Sequence, residues 1–145
     1  MFCGAEKAFF YRDLKHTALE LKEGGLLDRT AEFASLVKGA DAYEFVGSGP
    51  GYASAWLGRQ ETVSQAGKLA IETSAEDWLH STFLFREPKQ MGTVVFAPSY
   101  SPALSRLKEV IAYMKHLQRP LCVVTDKESL MSDGVFTILA PYRKW

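Results

Sequence analysis

The sequence predicts a three-layer α/β/α domain, with a parallel sheet of about five strands in doubly wound order, preceded by two N-terminal helices. Three observations carry this expectation. Short apolar runs recur after Gly39, stretches with helical spacing separate them, and a glycine-dense turn joins the first run to the helix that follows it. Strands that alternate with helices pair in parallel and are buried on both faces, so their runs are continuously apolar instead of alternating.

The elements follow in order. From about Glu6 to Lys22, apolar residues at Phe9, Phe10, Leu14, Ala18, Leu19 and Leu21 approximate a helical stripe, which Gly24-Gly25 ends. A second helix is expected from about Leu27 to Val37, with Phe33, Leu36 and Val37 facing inward and Gly39 near its C-cap. Strands are expected at Ala42–Val46, Lys68–Ile71, Thr93–Ala97, Leu121–Thr125 and Val135–Leu139. Helices are expected at about Tyr52–Gln65, Ala75–Phe83 and Ala103–Leu117, while the polar stretch Lys127–Asp133 reads as a turn-rich loop or a short helix. Residues 1–145 then form one domain, divided into a helical segment (1–39) and an α/β core (40–145). No helical pattern follows the last strand before Tyr142-Arg143-Lys144-Trp145. Either a partner subunit covers that strand or the chain is shorter than its relatives, and the expectation is a dimer.

Composition excludes several classes of function. Seventeen basic and seventeen acidic side chains cancel, which leaves no basic field to attract nucleic acid. No apolar run approaches the ~20 residues that span a bilayer, and the N-terminus lacks the charged and apolar regions of a signal peptide. Cys3 and Cys122 lie far apart without metal-type spacing, and Cys122 sits within an apolar run, as a core residue would. The expectation is a cytoplasmic chain with reduced thiols, no metal and no cofactor. His16 and His116 have no ligand-like partner at useful spacing. Trp56, Trp78 and Trp145 read as packing or interface residues.

The segment Tyr43-Glu44-Phe45-Val46-Gly47-Ser48-Gly49-Pro50-Gly51-Tyr52 carries the functional signal. Glycines allow close approach of backbone to a ligand, and the start of the following helix favours an anion such as a phosphate. Gly47, Ser48, Gly49, Gly51 and Tyr52 are accordingly the candidate ligand-binding residues. Two other readings of the turn stand beside this one. Gly47-Ser48-Gly49 supplies part of the dinucleotide pattern G-x-G-x-x-G, with Glu72 at a distance that suits a ribose contact, as in an oxidoreductase domain; but Tyr52 stands where the third glycine belongs. In the other, the glycines serve packing alone.

The order of two helices, strand, Gly-Ser-Gly-Pro-Gly-Tyr and helix resembles the sugar isomerase (SIS) domain family, which binds phosphosugars on a flavodoxin-like sheet. Gly47, Gly49 and Tyr52 match the Gly-Arg-Gly-x-x-Tyr loop in the second SIS domain of glucosamine-6-phosphate synthase and related deglycases. Asp77-Trp78-Leu79-His80 is similar to their Glu-Leu-Lys-His, and Val94-Val95-Phe96-Ala97-Pro98 to their apolar run ending in Ala-Pro. The similarity runs from Leu27 to Asp126.

The resemblance implies a phosphorylated sugar or amino sugar as ligand, and a homodimer or a partner SIS subunit. It also implies a ketose/aldose isomerase or sugar-amine deglycase in which a histidine opens the ring and a glutamate moves the carbon-bound proton. His80 occupies the histidine position; its alternative roles are to cap a helix C-terminus or to pack under Phe83. The glutamate position holds Ser64, which has no base to activate it. Glu61, one turn earlier on the same face, is the candidate substitute, or else a solvated helix charge. Glu76 or Asp77 either orients His80 or serves the helix N-terminus. The serine-rich phosphate loop of the first SIS domain of a pair is replaced by Ala97-Pro98-Ser99-Tyr100-Ser101-Pro102. There Ser99 and Ser101 are candidate anion contacts, or else caps for the helix after them. These departures make the chain similar to the second half of a paired protein, contributing groups to a composite site. They also admit a non-catalytic SIS module that binds sugar phosphate for regulation.

Overall fold

Strand β1 (Ala42–Gly47) lies inside a five-stranded sheet of order β2-β1-β3-β4-β5. The computed structural model describes residues 14–19, 22–23, 25–84, 90–130 and 135–140. The remaining strands are β2 (Ala70–Thr73), β3 (Met91–Phe96), β4 (Leu121–Thr125) and β5 (Phe136–Leu139). Every pairing is parallel: Tyr43 lies opposite Ala70, Ala42 opposite Met91, Thr93 opposite Leu121 and Cys122 opposite Phe136. This is the three-layer, doubly wound arrangement the sequence predicts. The order 2-1-3-4-5 differs from the 3-2-1-4-5-6 of paired dinucleotide-binding halves.

The chain alternates helices with strands. Residues 14–19 and 22–23 are helical, within the first expected helix; Glu6–Asp13, Glu20, Leu21 and Gly24 lie outside the described residues. Helix α1 (Leu26–Leu36) starts after Gly25, whose φ of 68° suits glycine. Helix α2 (Pro50–Ala66) places Pro50 at its first position and ends on Gly67 at φ 61°, whose N–H reaches back to the last turn. Helix α3 (Ala75–His80) opens on Ser74, whose hydroxyl accepts the Asp77 N–H. A 3₁₀ turn, Thr82–Leu84, follows it. Helix α4 (Leu104–His116) joins β3 to β4, and a second 3₁₀ turn, Glu128–Leu130, lies in the expected polar stretch, of which Met131–Asp133 lie outside the described residues.

Side-chain alternation along β1 divides the packing between two faces. Val46 faces Trp78 of α3 and Leu107 and Val110 of α4, in a cluster with Val95 and Val123. Phe45 points the other way, onto Gly58 of α2, where an added Cβ would come within 2.6 Å of the ring. On that second face α1 covers the far end of the sheet. Phe33 and Val37 join Cys122 and Ile138, and the Phe33 and Phe136 rings lie 5.5 Å apart. The Arg29 guanidinium carbon sits 4.2 Å from the centre of the Phe136 ring.

Two expectations are corrected here. Leu36 was expected to face inward but is 67% exposed, because the inner stripe of α1 runs through Phe33 and on to Val37. The last strand was expected to have no helix of its own chain over it, but α1 lies on one of its faces. Tyr142–Trp145 lie outside the described residues.

Candidate functional site at the β1–β3 crevice

After β1 the chain winds outward to β2, then returns past β1 to β3. The carboxyl ends of β1 and β3 therefore flank the point where the winding reverses, the place where open α/β sheets bind ligands. The loops after those two strands meet there. Gly47 is required by close approach: a Cβ at this position would lie 2.2 Å from the Gly51 carbonyl oxygen. Gly49 has φ 56° and ψ −129°, a conformation that side chains disfavour. Gly51 is buried against β3, with the Phe96 carbonyl 3.0 Å and Pro98 Cδ 3.5 Å from where a Cβ would be.

Hydrogen bonds tie this turn to its surroundings. The Ser48 hydroxyl accepts the Ala75 N–H at 3.0 Å, docking the start of α3 on the loop. The Gly51 and Tyr52 N–H groups donate to the Ser48 and Gly49 carbonyls at 3.2 and 3.0 Å, and Pro50 has no N–H. Two of the amides expected to face a ligand thus close the turn itself. From the β3 side, Ser101 is buried; its hydroxyl accepts the Ala103 N–H at 3.3 Å and makes a long 3.5 Å contact to the Ser48 carbonyl. This is a local turn ahead of α4 and not the helix cap that the sequence reading offered, since the helix starts after Ala103 and has no side-chain cap.

Ser99 is engaged by a residue that the sequence reading did not single out. Its N–H donates to Asp126 Oδ1 at 2.7 Å and its hydroxyl to Oδ2 at 2.6 Å. Burial raises the Asp126 pKa, but the two Ser99 donors, the residue's own backbone and Lys127 together hold it below its ordinary value of 3.8. A carboxylate therefore already occupies the donors that Ser99 would offer an anion. The signal was available, since an Asp straight after an apolar strand ends beside the loop of its neighbour.

The remaining candidates lie apart from the loop. His80 is exposed at the end of α3, about 7.5 Å along the axis from Ala75. Glu61 is exposed on α2, roughly 16 Å along the helix from Pro50, with exposed Ser64 nearly a turn beyond it. Glu76 pairs with Arg106 of α4 at 3.3 Å, and Asp77 accepts the Ser74 hydroxyl at 2.7 Å in a helix-terminus role. Glu72, the ribose candidate of the dinucleotide reading, lies 3.5 Å from Arg59. One chain thus brings together Gly47, Ser48, Gly49, Gly51, Tyr52 and the Ser99 loop, and leaves His80 and Glu61 on helix flanks.

Among the described residues, no group of three or more His, Cys, Asp or Glu side chains is placed to hold a metal ion. No described helix is long and apolar enough to cross a membrane.

No family model and no curated protein matches the chain by sequence. Solved structures do match its fold. The C-terminal domain of glucosamine-fructose-6-phosphate aminotransferase from Francisella tularensis aligns over 94% of this chain and 39% of its own, with a TM-score of 0.69 and 16% identity. Tagatose-6-phosphate ketose/aldose isomerase from Escherichia coli aligns over 83% of this chain and 36% of its own, with a TM-score of 0.61 and 20% identity. The chain spans less than two-fifths of the length of either protein. Its structural neighbours are SIS-domain proteins, and the fold it shares with them is the SIS fold.

Proposed function

We propose that this chain is an SIS domain that binds a phosphorylated sugar or amino sugar in the crevice between the β1 and β3 loops. The convergence of Gly47–Tyr52 with Ala97–Pro102 at the winding reversal carries this reading. The structural neighbours, glucosamine-fructose-6-phosphate aminotransferase and tagatose-6-phosphate ketose/aldose isomerase, support a sugar phosphate as the ligand class. The Gly49 turn would face the phosphate, while His80 would approach the sugar from α3.

Isomerisation needs a base between adjacent carbons as well as a group that opens the ring. With serine at position 64 and Glu61 well down α2, neither the family's glutamate position nor its candidate substitute lies beside the loop, and the Asp126 carboxylate that does is already engaged by Ser99. We therefore propose a composite site, in which a second SIS unit faces this one as a homodimer or partner subunit. The exposed Trp56 and Leu57 of α2 would supply apolar surface for that contact. The second reading, a regulatory binding module without turnover, is favoured by the same distance between Glu61 and the loop. The buried free thiol of Cys122 suits a reducing, cytoplasmic setting.

Thermal denaturation with fructose-6-phosphate, glucosamine-6-phosphate and NAD tests the binding. A ligand at a hundred times its Kd stabilises by about 2.7 kcal/mol, which raises Tm by several degrees. Sugar phosphates should shift Tm and NAD should not; no shift with either sugar phosphate refutes the proposal. Isomerase turnover lost in His80→Ala separates enzyme from module.

A further inference from the structure

Beneath α3 the core contains a charged pair that packing alone does not explain. Glu44, in the middle of β1, and Arg119, just before β4, both have fully buried side chains. Arg119 Nη1 donates to Glu44 Oε2 at 2.5 Å, and the Trp78 indole N–H donates to the same oxygen at 3.0 Å. Arg119 Nη2 reaches the Thr82 carbonyl at 3.4 Å, and its guanidinium carbon lies 5.5 Å from the centre of the Trp78 ring. Among the described residues no hydrogen bond of good geometry reaches Glu44 Oε1 or Arg119 Nε, although the Thr73 hydroxyl lies close enough to favour the Glu44 carboxylate. Burying such a pair generally costs as much as its attraction returns, and apolar residues of similar volume often stabilise more.

The hydrogen bonds of the pair fall on a short segment. Helix α3 has six residues and is followed by a single 3₁₀ turn, far below the length at which a helix is stable alone. The two grips fall at Trp78 and Thr82, two residues before and two residues after His80. We propose that the Glu44–Arg119 pair is a positioning brace for His80, fixing the chain on both sides of the histidine so that its imidazole keeps one place on the flank of α3. The inference rests on the proposed sugar-facing role of His80.

The test compares the wild type with Glu44→Met/Arg119→Met, which replaces the pair by apolar bulk, and with Arg119→Lys, which loses the planar fork that serves Glu44 and Thr82 together. Amide hydrogen exchange is followed in residues 79–84, with residues 53–66 of α2 as internal reference. Isomerisation of fructose-6-phosphate is assayed in parallel. In both variants the 79–84 amides should exchange at least tenfold faster while α2 keeps its wild-type rates, and kcat should fall at least tenfold at unchanged KM. Exchange that rises uniformly, stays unchanged in 79–84, or loosens there without lowering kcat in a chain that turns over overturns the brace and leaves the isomerase reading standing. Segment-specific loosening in a chain whose wild type shows no turnover supports the brace and removes the isomerase reading.

Discussion

Replacing Gly47 by alanine tests the architecture of the crevice most directly. The new methyl would lie 2.2 Å from the Gly51 carbonyl oxygen, 2.5 Å from its carbon and 2.8 Å from the Tyr52 nitrogen. All three are backbone atoms of the first turn of α2, so no side-chain rotation relieves the clash. The turn must move by about an ångström to restore ordinary contact. Gly51 is itself pressed against the Phe96 carbonyl, so that movement has little room. Overpacking of this kind costs typically ~1–3 kcal/mol, and the rigidity of the neighbours places Gly47→Ala at the upper end. For a domain of this size each kcal/mol lowers Tm by roughly 3–4 °C, so a loss of about 6–12 °C is expected in a thermal melt. Gly39→Ala is the matched control. It meets nothing within 4 Å and should fall near neutral or gain ~0.4–1 kcal/mol by restricting the unfolded chain. A Gly47→Ala protein that melts with the wild type, or no lower than Gly39→Ala, would refute the close packing of β1 on α2 and the crevice built on it.

Asp126 should govern part of the acid limb of stability. Its folded pKa lies below 3.8, so its contribution is present above that value and is lost as pH falls through the folded value. Urea midpoints measured from pH 6 to pH 2.5 should therefore decline less steeply below pH 4 in Asp126→Asn than in the wild type; parallel declines would mean that the Ser99 contacts contribute nothing. Burial pushes the Cys122 thiol up to about 12, against a weaker opposing pull from Arg29. In a Cys3→Ser background a thiol-specific reagent at pH 8 should leave the native protein unlabelled and react once urea unfolds it; rapid labelling of the native chain would contradict the buried position on β4.

How much of this was legible in the sequence depended on the range of the contacts. Leu121–Thr125 was found with its bounds intact, because a strand buried on both faces announces itself as an unbroken apolar run. The run at Lys68–Ile71 was placed two residues early: Leu69 is 67% exposed, and only its carbonyl serves the sheet, by accepting the Tyr43 N–H. The glycine turn was legible because its constraints are local. The partners of Glu44 and Ser99 were not, since Arg119 and Asp126 come from 75 and 27 residues away and local periodicity carries no information at that range. A signal for Glu44 was present nevertheless. A carboxylate within a strand covered on both faces has no solvent side and must find a cation. The site residues divided in the same way: the β1 loop followed from pattern, whereas the distance of Glu61 from it emerges only once α2 is laid along the sheet.

The packing of α1 on β5 sets a constraint on the order of events during synthesis. Arg29 reaches the Thr137 carbonyl across 108 positions of sequence, and Phe33 stacks on Phe136 in the same contact. An element made early therefore waits for one made late, with its aromatic face uncovered while most of the chain passes through the ribosome. Domains rich in such distant pairings fold slowly, and exposed apolar surface in the interval invites association between nascent chains. Final docking of α1 then becomes a step that must wait until β5 has been made.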